Sequence, residues 1–224
     1  MKLSFILATN RKPSEYADIT INSINQFSSG FDYEICVYSQ ERVAGENVVW
    51  IKEEEQKGPI IAINYLATHC SGDYIIQIVD DHILINHIRP TIDVLESSDR
   101  LYKICSLHPG NFCGNPIKGQ LCGTKNIDFD VPYYPLCRFP VLHKSVLPVL
   151  DNCLYNTNFI YHGADIWLGY YLGIKGCPSF DGPTSVRAHN PTKYLKYEAE
   201  DCDTCRLLMK ESTINNIPYN FKLV

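Results

Sequence analysis

Apolar positions along the first 95 residues switch between a two-residue period and a helical one. KLSFILA at 2 to 8 reads as a buried strand, and the polar stretch from Thr9 to Glu15, with Pro13 inside it, reads as a loop. YADITINSINQF at 16 to 27 spaces Ile19, Ile21 or Ile24, and Phe27 as a helix does, and Gly30 and Asp32 end it. YEICVYS at 33 to 39 and VVWI at 48 to 51 are the next strands. Glu53-Glu54-Glu55 then leads to Lys57-Gly58-Pro59. Proline suits the first turn of a helix because the N–H it lacks has no partner there. IIAINYLATHC at 60 to 70 is that helix, and Ser71-Gly72-Asp73 stops it. The strand YIIQIV follows and runs into Asp80-Asp81-His82.

This order of strands and helices predicts an α/β domain with a mainly parallel central sheet flanked by helices. Ligands of such sheets bind beyond the carboxyl ends of the strands. Thr9 to Arg11, Gln40 to Arg42 and Asp80 to His82 all fall at such ends. The second half is less regular. Residues 106 to 135, rich in Gly, Pro and Asn, read as a long loop region on a binding face. CRFPVLHKSVLPVL at 137 to 150 reads as a strand and a short helix, residues 166 to 174 as an apolar helix, and SVRAHN at 185 to 190 as a short strand or loop. The polar tail from 191 carries a helix over 198 to 212.

A formal net charge of −5 gives no support for general nucleic-acid binding. MKLSFILATNRKPSEY lacks the long apolar run and small-residue cleavage site of a signal peptide, and no uncharged run approaches the ~20 residues of a membrane helix. We therefore expect a cytoplasmic protein whose ten cysteines are mostly free, small core residues. Cys202 and Cys205 form a CxxC, but a zinc site needs a second ligand pair.

Three polar groups carry candidate chemistry, each with a plainer alternative. Asp80-Asp81 is either a solvated turn or a carboxylate pair for a hard divalent cation, whose shell a diphosphate can complete. Asp165, in HGAD before a helix, is either an N-cap or a general base at the mouth of the sheet. His189, in RAHN, is either incidental or a late nitrogen donor to a metal held by carboxylates.

Taken in order, these segments resemble GT-A fold glycosyltransferases, close to the inverting glycosyltransferase family 2, over roughly residues 1 to 190. LSFILATNRKPSEYADITINSI is similar to that family's opening strand, nucleotide loop and first helix. YEICVYSQER stands where the family has a strand ending in acidic residues that read the base. KGPIIAINYLATHCSGDYIIQIVDDHIL resembles its glycine-led helix with an internal Asn, followed by the strand into the DxD-type motif. FPVLHKSVL resembles the later strand behind the acceptor site, and HGADIWLGYYLGIKG the segment with the catalytic acid. The chain departs from the pattern at Val79, which takes the first DxD place, at Ala164, which removes one acid before Asp165, and at Glu41, where aspartate is more usual. It also lacks QxxRW, which argues against polymer synthesis and a membrane-embedded enzyme.

The resemblance implies one GT-A-like domain over 1–190, with a nucleotide-binding half (1–95), an acceptor-binding half (96–190) and a helical tail (191–224) packed on it. It implies metal-dependent, inverting transfer of a sugar from a nucleotide sugar, UDP-sugar favoured, to a hydroxyl on a glycan, lipid-linked sugar or protein. Thr9, Asn10, Arg11 and Glu41 would surround the base and ribose. Lys57 or Arg11 would add charge near the diphosphate, and Asn64 would contribute from its helix. Asp81 and Asp80 would hold Mn²⁺ or Mg²⁺ with His189 as third contact, Asp80 also lying near the ribose. Asp165 would deprotonate the acceptor. Trp167, Tyr133 and Tyr134 would stack on a sugar, and His143 and His162 would touch the acceptor. Alternatives are a nucleotide-sugar-binding protein without transfer activity, a sugar nucleotidyltransferase, and a metal-dependent hydrolase using Asp80, Asp81, His82 and His189. LATNRKPSEY, without glycine, disfavours the nucleotidyltransferase, and the hydrolase would want a denser His/Asp set.

Overall fold

In the computed structural model, residues 1–9, 16–108, 120–121, 125–126, 137–160, 163–189, 204, 207–208 and 219 are described. Strands β1 (Lys2–Ala8), β2 (Asp32–Ser39), β3 (Val48–Lys52) and β4 (Tyr74–Gln77) alternate with helices α1 (Ala17–Phe27) and α2 (Pro59–His69) much as the periodicity predicts. Then come β5 (His82–Leu84), α3 (Arg89–Glu96) and β6 (Ile104–His108). The short strands β7 (Gln120–Leu121) and β8 (Lys125–Asn126) pair only with each other. β9 (Pro140–His143), a 3₁₀ helix (Lys144–Leu150), α4 (Ala164–Ile174) and β10 (Asp181–Ala188) complete the described elements.

Eight strands form one sheet in the order β3-β2-β1-β4-β9-β6-β10-β5. β1, β2, β3 and β4 pair in parallel, β6 pairs in parallel with β10, and β9 and β5 run against their neighbours. The alternation along each strand divides the core in two. Leu3, Phe5 and Leu7 of β1 join Tyr74 and Ile76 of β4 against α1 and α3. Ile6 and Ile75 face the other way, against α2 and α4. Leu208 and Tyr219, from the tail, lie fully buried in that second layer.

The sequence reading missed β5, α3 and β6, and β10 is longer than expected. Residues 106 to 108, read as loop, belong to β6. Its half-polar pattern hides a central position between β9 and β10. Cys36, Cys70, Cys105, Cys137 and Cys177 are buried free thiols, as expected, whereas Cys202 and Cys205 lie outside the described residues. Among the described residues no helix is long and apolar enough to cross a membrane.

One close approach accounts for the SGDY segment. Gly72 crosses β1 so tightly that an added Cβ would lie 2.6 Å from the Ser4 nitrogen and 2.9 Å from the Leu3 carbonyl carbon. Its own N–H donates to the Ser4 hydroxyl at 2.7 Å. Beside it, the Glu34 carboxylate accepts from the Ser4 hydroxyl (2.6 Å), the Ser71 N–H (2.6 Å), the Ser71 hydroxyl (2.9 Å) and the Lys2 ammonium (3.0 Å). Burial pushes this carboxyl up, but these donors outweigh it and hold it at about 2. The clip lies at the amino ends of β1, β2 and β4, opposite the edge that gathers the candidate site.

Candidate functional site

β4 ends at Gln77 and the chain turns at once, with the His82 N–H donating to the Val79 carbonyl at 3.1 Å. This turn carries Asp80 and Asp81, both only 6% exposed. The solvated-turn alternative therefore fails. Two adjacent carboxylates so buried need donors or a cation, and three elements supply the framework. From the end of β1, the Thr9 hydroxyl donates to Asp80 Oδ2 at 2.5 Å. From α1, the Thr20 hydroxyl lies 3.0 Å from the Asp80 carbonyl and 2.8 Å from the His82 carbonyl, so its proton is shared between them. From the end of β10, the His189 N–H donates to the Asp81 carbonyl at 2.9 Å, and its Nε2 lies 3.1 Å from the Asp80 carbonyl. The turn is thus held by its backbone, and its carboxylates are kept in place at the carboxyl edge.

His189 and His82 both contact the Asp80-Asp81 turn. With His189 Nε2 3.1 Å from the Asp80 carbonyl, that nitrogen carries the proton of the bond. His82, set aside in the sequence reading, touches one of the acids: its Nδ1 lies 2.7 Å from Asp81 Oδ1. Its ring also packs on Phe139, with centroids 4.7 Å apart. Among the described residues no three His, Cys, Asp or Glu side chains cluster as a ready metal site. Two adjacent carboxylates still suit a hard cation that takes its remaining ligands from diphosphate and water.

Asp165 stands across the sheet edge, in the first turn of α4 after Gly163, whose φ of 78° is the left-handed turn that glycine makes without strain. Gly163 is the N-cap of α4, so Asp165 is the second residue of the helix and not its cap. Oδ1 accepts from the Ile166 N–H at 3.0 Å, as a carboxylate at a helix start does, while Oδ2 stands 3.6 Å from Arg138 Nε. The buried Tyr155 lies between the two halves. Its hydroxyl donates to Gln77 Oε1 at 3.4 Å, and its phenol is pushed up first by burial and then by the charge of Asp165.

The other expected residues divide. Asn64 spends its amide on Tyr155, donating to its carbonyl at 2.7 Å and accepting its N–H at 2.8 Å, so it positions that segment. Glu41 is exposed and offers its carbonyl to the Ser39 hydroxyl at 2.7 Å. Lys57 is exposed and pairs with Glu55 at 3.5 Å. Glu53, which the sequence reading passed over as part of a charge run, is the buried acid at the end of β3, and burial pushes its carboxyl up. Trp167 is no sugar platform: it is fully buried, with its indole N–H donating to the Tyr219 carbonyl at 3.1 Å. His143 pairs with Tyr74 at the opposite sheet edge and so stands away from the carboxyl ends. Asn10, Arg11, Tyr133, Tyr134 and His162 lie outside the described residues.

Thr20, His82 and Arg138 are what the sequence reading missed. Thr20 left one signal, a polar residue on the apolar face of α1. Arg138 depends on a long-range pairing with Asp165 that local periodicity does not report, whereas His82 meets its sequence neighbour Asp81.

A curled, mostly parallel sheet flanked by helices is the fold of GT-A-type glycosyltransferases. Solved structures of TarS from S. aureus share it. TarS 1–349 in complex with UDP-GlcNAc superposes with a TM-score of 0.64 at 13% identity, covering 98% of this chain and 68% of that one. The UDP complex gives 0.62 at 13% identity, with the same coverage. TarS in the longer form gives 0.60 at 14% identity, with 98% of this chain matched to 41% of that one. No family model and no curated protein sequence matches the chain.

Proposed function

We propose that the protein is a nucleotide-sugar-dependent glycosyltransferase, with UDP-sugar the favoured donor and a hydroxyl-bearing glycan, lipid-linked sugar or protein as acceptor. The observation that carries this reading is the buried Asp80-Asp81 turn, fixed by Thr9, Thr20 and His189 at the edge where GT-A folds bind their donor. The likeness to TarS, solved with UDP-GlcNAc, supports the donor class.

Asp80 and Asp81 would hold Mn²⁺ or Mg²⁺, with His82 orienting Asp81. A divalent cation bound there supplies Lewis-acid stabilisation of the charge on the departing nucleoside diphosphate. Thr9 and Glu41 line the side of the nucleotide, with Lys57 at the start of α2 towards its phosphates. Asp165 takes the proton of the acceptor hydroxyl as that oxygen attacks the anomeric carbon. One such base suffices for a single inverting displacement.

The test is a panel of nucleotide sugars with Mn²⁺, read as donor binding and nucleoside diphosphate release. UDP-sugar binding that depends on the cation, with release, supports the proposal. Binding without release across many acceptors would make the protein a binder only, and binding of no nucleotide sugar would sink both readings.

A further inference from the structure

Arg138 and Phe139 occupy an unusual position. Phe139 has φ 45°, a left-handed backbone that a bulky side chain rarely adopts, and it precedes Pro140, which steers its predecessor towards extended conformations. Phe139 and its neighbours are held from several sides. The Ser106 hydroxyl donates to the Arg138 carbonyl, the Leu107 N–H donates to the Phe139 carbonyl at 3.0 Å, and the neighbouring Cys137 N–H donates to the Asp165 carbonyl at 3.2 Å. Such strain persists where surrounding contacts over-determine it, and it gathers at functional sites. Here its result is specific: Arg138 reaches Asp165 while Phe139 reaches His82, which holds Asp81. One kinked dipeptide touches both halves of the candidate site.

We infer that Arg138 is a positioning residue for Asp165, an inference that rests on the transferase reading above. At 3.6 Å the guanidinium is an ion-pair partner and not a hydrogen-bond donor to Oδ2. It fixes the carboxylate by charge, with Oδ1 anchored on the Ile166 N–H, and leaves an Oδ2 lone pair to accept a hydroxyl proton. A shorter, bidentate pair would occupy the oxygen the reaction needs.

The test compares Arg138→Ala and Arg138→Lys in the full chain, reading release of nucleoside diphosphate from a UDP-sugar with Mn²⁺, donor Kd and thermal midpoint. Arg138→Ala should lower kcat by ~10–100-fold with donor Kd within about twofold. Added guanidinium should restore much of that rate, without restoring Asp165→Asn, and Arg138→Lys should keep most activity. Unchanged release, a matching loss of donor affinity, or a deficit that neither guanidinium nor lysine repairs overturns the inference. A folded wild-type protein that binds donor but releases nothing overturns the transferase reading, and the role of Arg138 with it.

Discussion

The Thr9 hydroxyl donates to Asp80 Oδ2 at 2.5 Å, joining the end of β1 to the turn after β4. Hydroxyl-to-carboxylate bonds of this length are charge-assisted, and this one is buried at both ends. Thr9→Val keeps the shape and removes the donor, leaving a buried carboxylate with one bond fewer. A loss of about 1–3 kcal/mol in unfolding free energy is expected, measured by denaturant titration. If the turn is the donor site, Mn²⁺-dependent UDP-sugar affinity should fall as well, whereas Thr9→Ser should restore both.

Asp81 is fixed from its own flank, with His82 Nδ1 2.7 Å from Oδ1. Asp81→Ala should weaken cation-dependent donor binding by at least ~10-fold while leaving cation-free binding little changed. Calorimetry with and without Mn²⁺ reads the difference. Equal losses in both conditions would mean that Asp81 serves the fold and not a cation.

The alternating core and the first four strands were legible because β1 and β4 are apolar on both faces over most of their length, with Ser4 the one polar position between Leu3 and Leu7. Asp80, Asp81 and Asp165 were legible as acids at the ends of apolar elements, where a charge needs a reason. β6 was not, because ICSLH is too short and too polar to signal a strand, and only pairing with β9 and β10 makes it one. Arg138 was hidden for the same reason, since its partner Asp165 is distant in sequence. His82 meets its neighbour Asp81, but its packing on Phe139 is long-range.

Glu34 sets an acid limit on stability. Its folded carboxyl titrates at about 2, below the ordinary value of 4.5. A depressed value means that the contribution is complete above the unfolded value and is lost as pH falls from about 4.5 through 2. The difference corresponds to ~3 kcal/mol at neutral pH. Glu34→Gln should be less stable than wild type at pH 7, and the gap should narrow as pH approaches 2. Urea midpoints across pH 2 to 7 check this, and parallel curves would contradict it.

Gly72 should tolerate no side chain. The nearest obstacles to a Cβ include backbone atoms of Leu3 and Ser4, which cannot swing aside as a flexible side chain would. Gly72→Ala should destabilise by more than about 1–3 kcal/mol, since β1 itself must shift. Ser4→Gly, which removes the hydroxyl among those obstacles but not the backbone, should rescue little of it. Thermal melts of the single and double variants decide.

Asn64 separates a ligand role from a structural one. Its amide meets both backbone groups of Tyr155, at 2.7 and 2.8 Å, and Tyr155 in turn leans on Gln77. Were Asn64 a nucleotide contact, Asn64→Ala would lower donor affinity and spare stability. The geometry predicts the opposite order. Two buried backbone groups lose their partner, so stability should fall by about 1–3 kcal/mol for each group left unsatisfied. Donor affinity should change only through any displacement of Tyr155. Asn64→Asp sharpens the comparison, because it keeps the acceptor for the Tyr155 N–H and loses the donor to its carbonyl. Its stability should lie between wild type and Asn64→Ala at high pH only if the surviving bond outweighs the cost of a buried charge. Denaturant titration beside UDP-sugar calorimetry on the three proteins gives the answer, and a stable Asn64→Ala with weakened donor binding would return Asn64 to the ligand set.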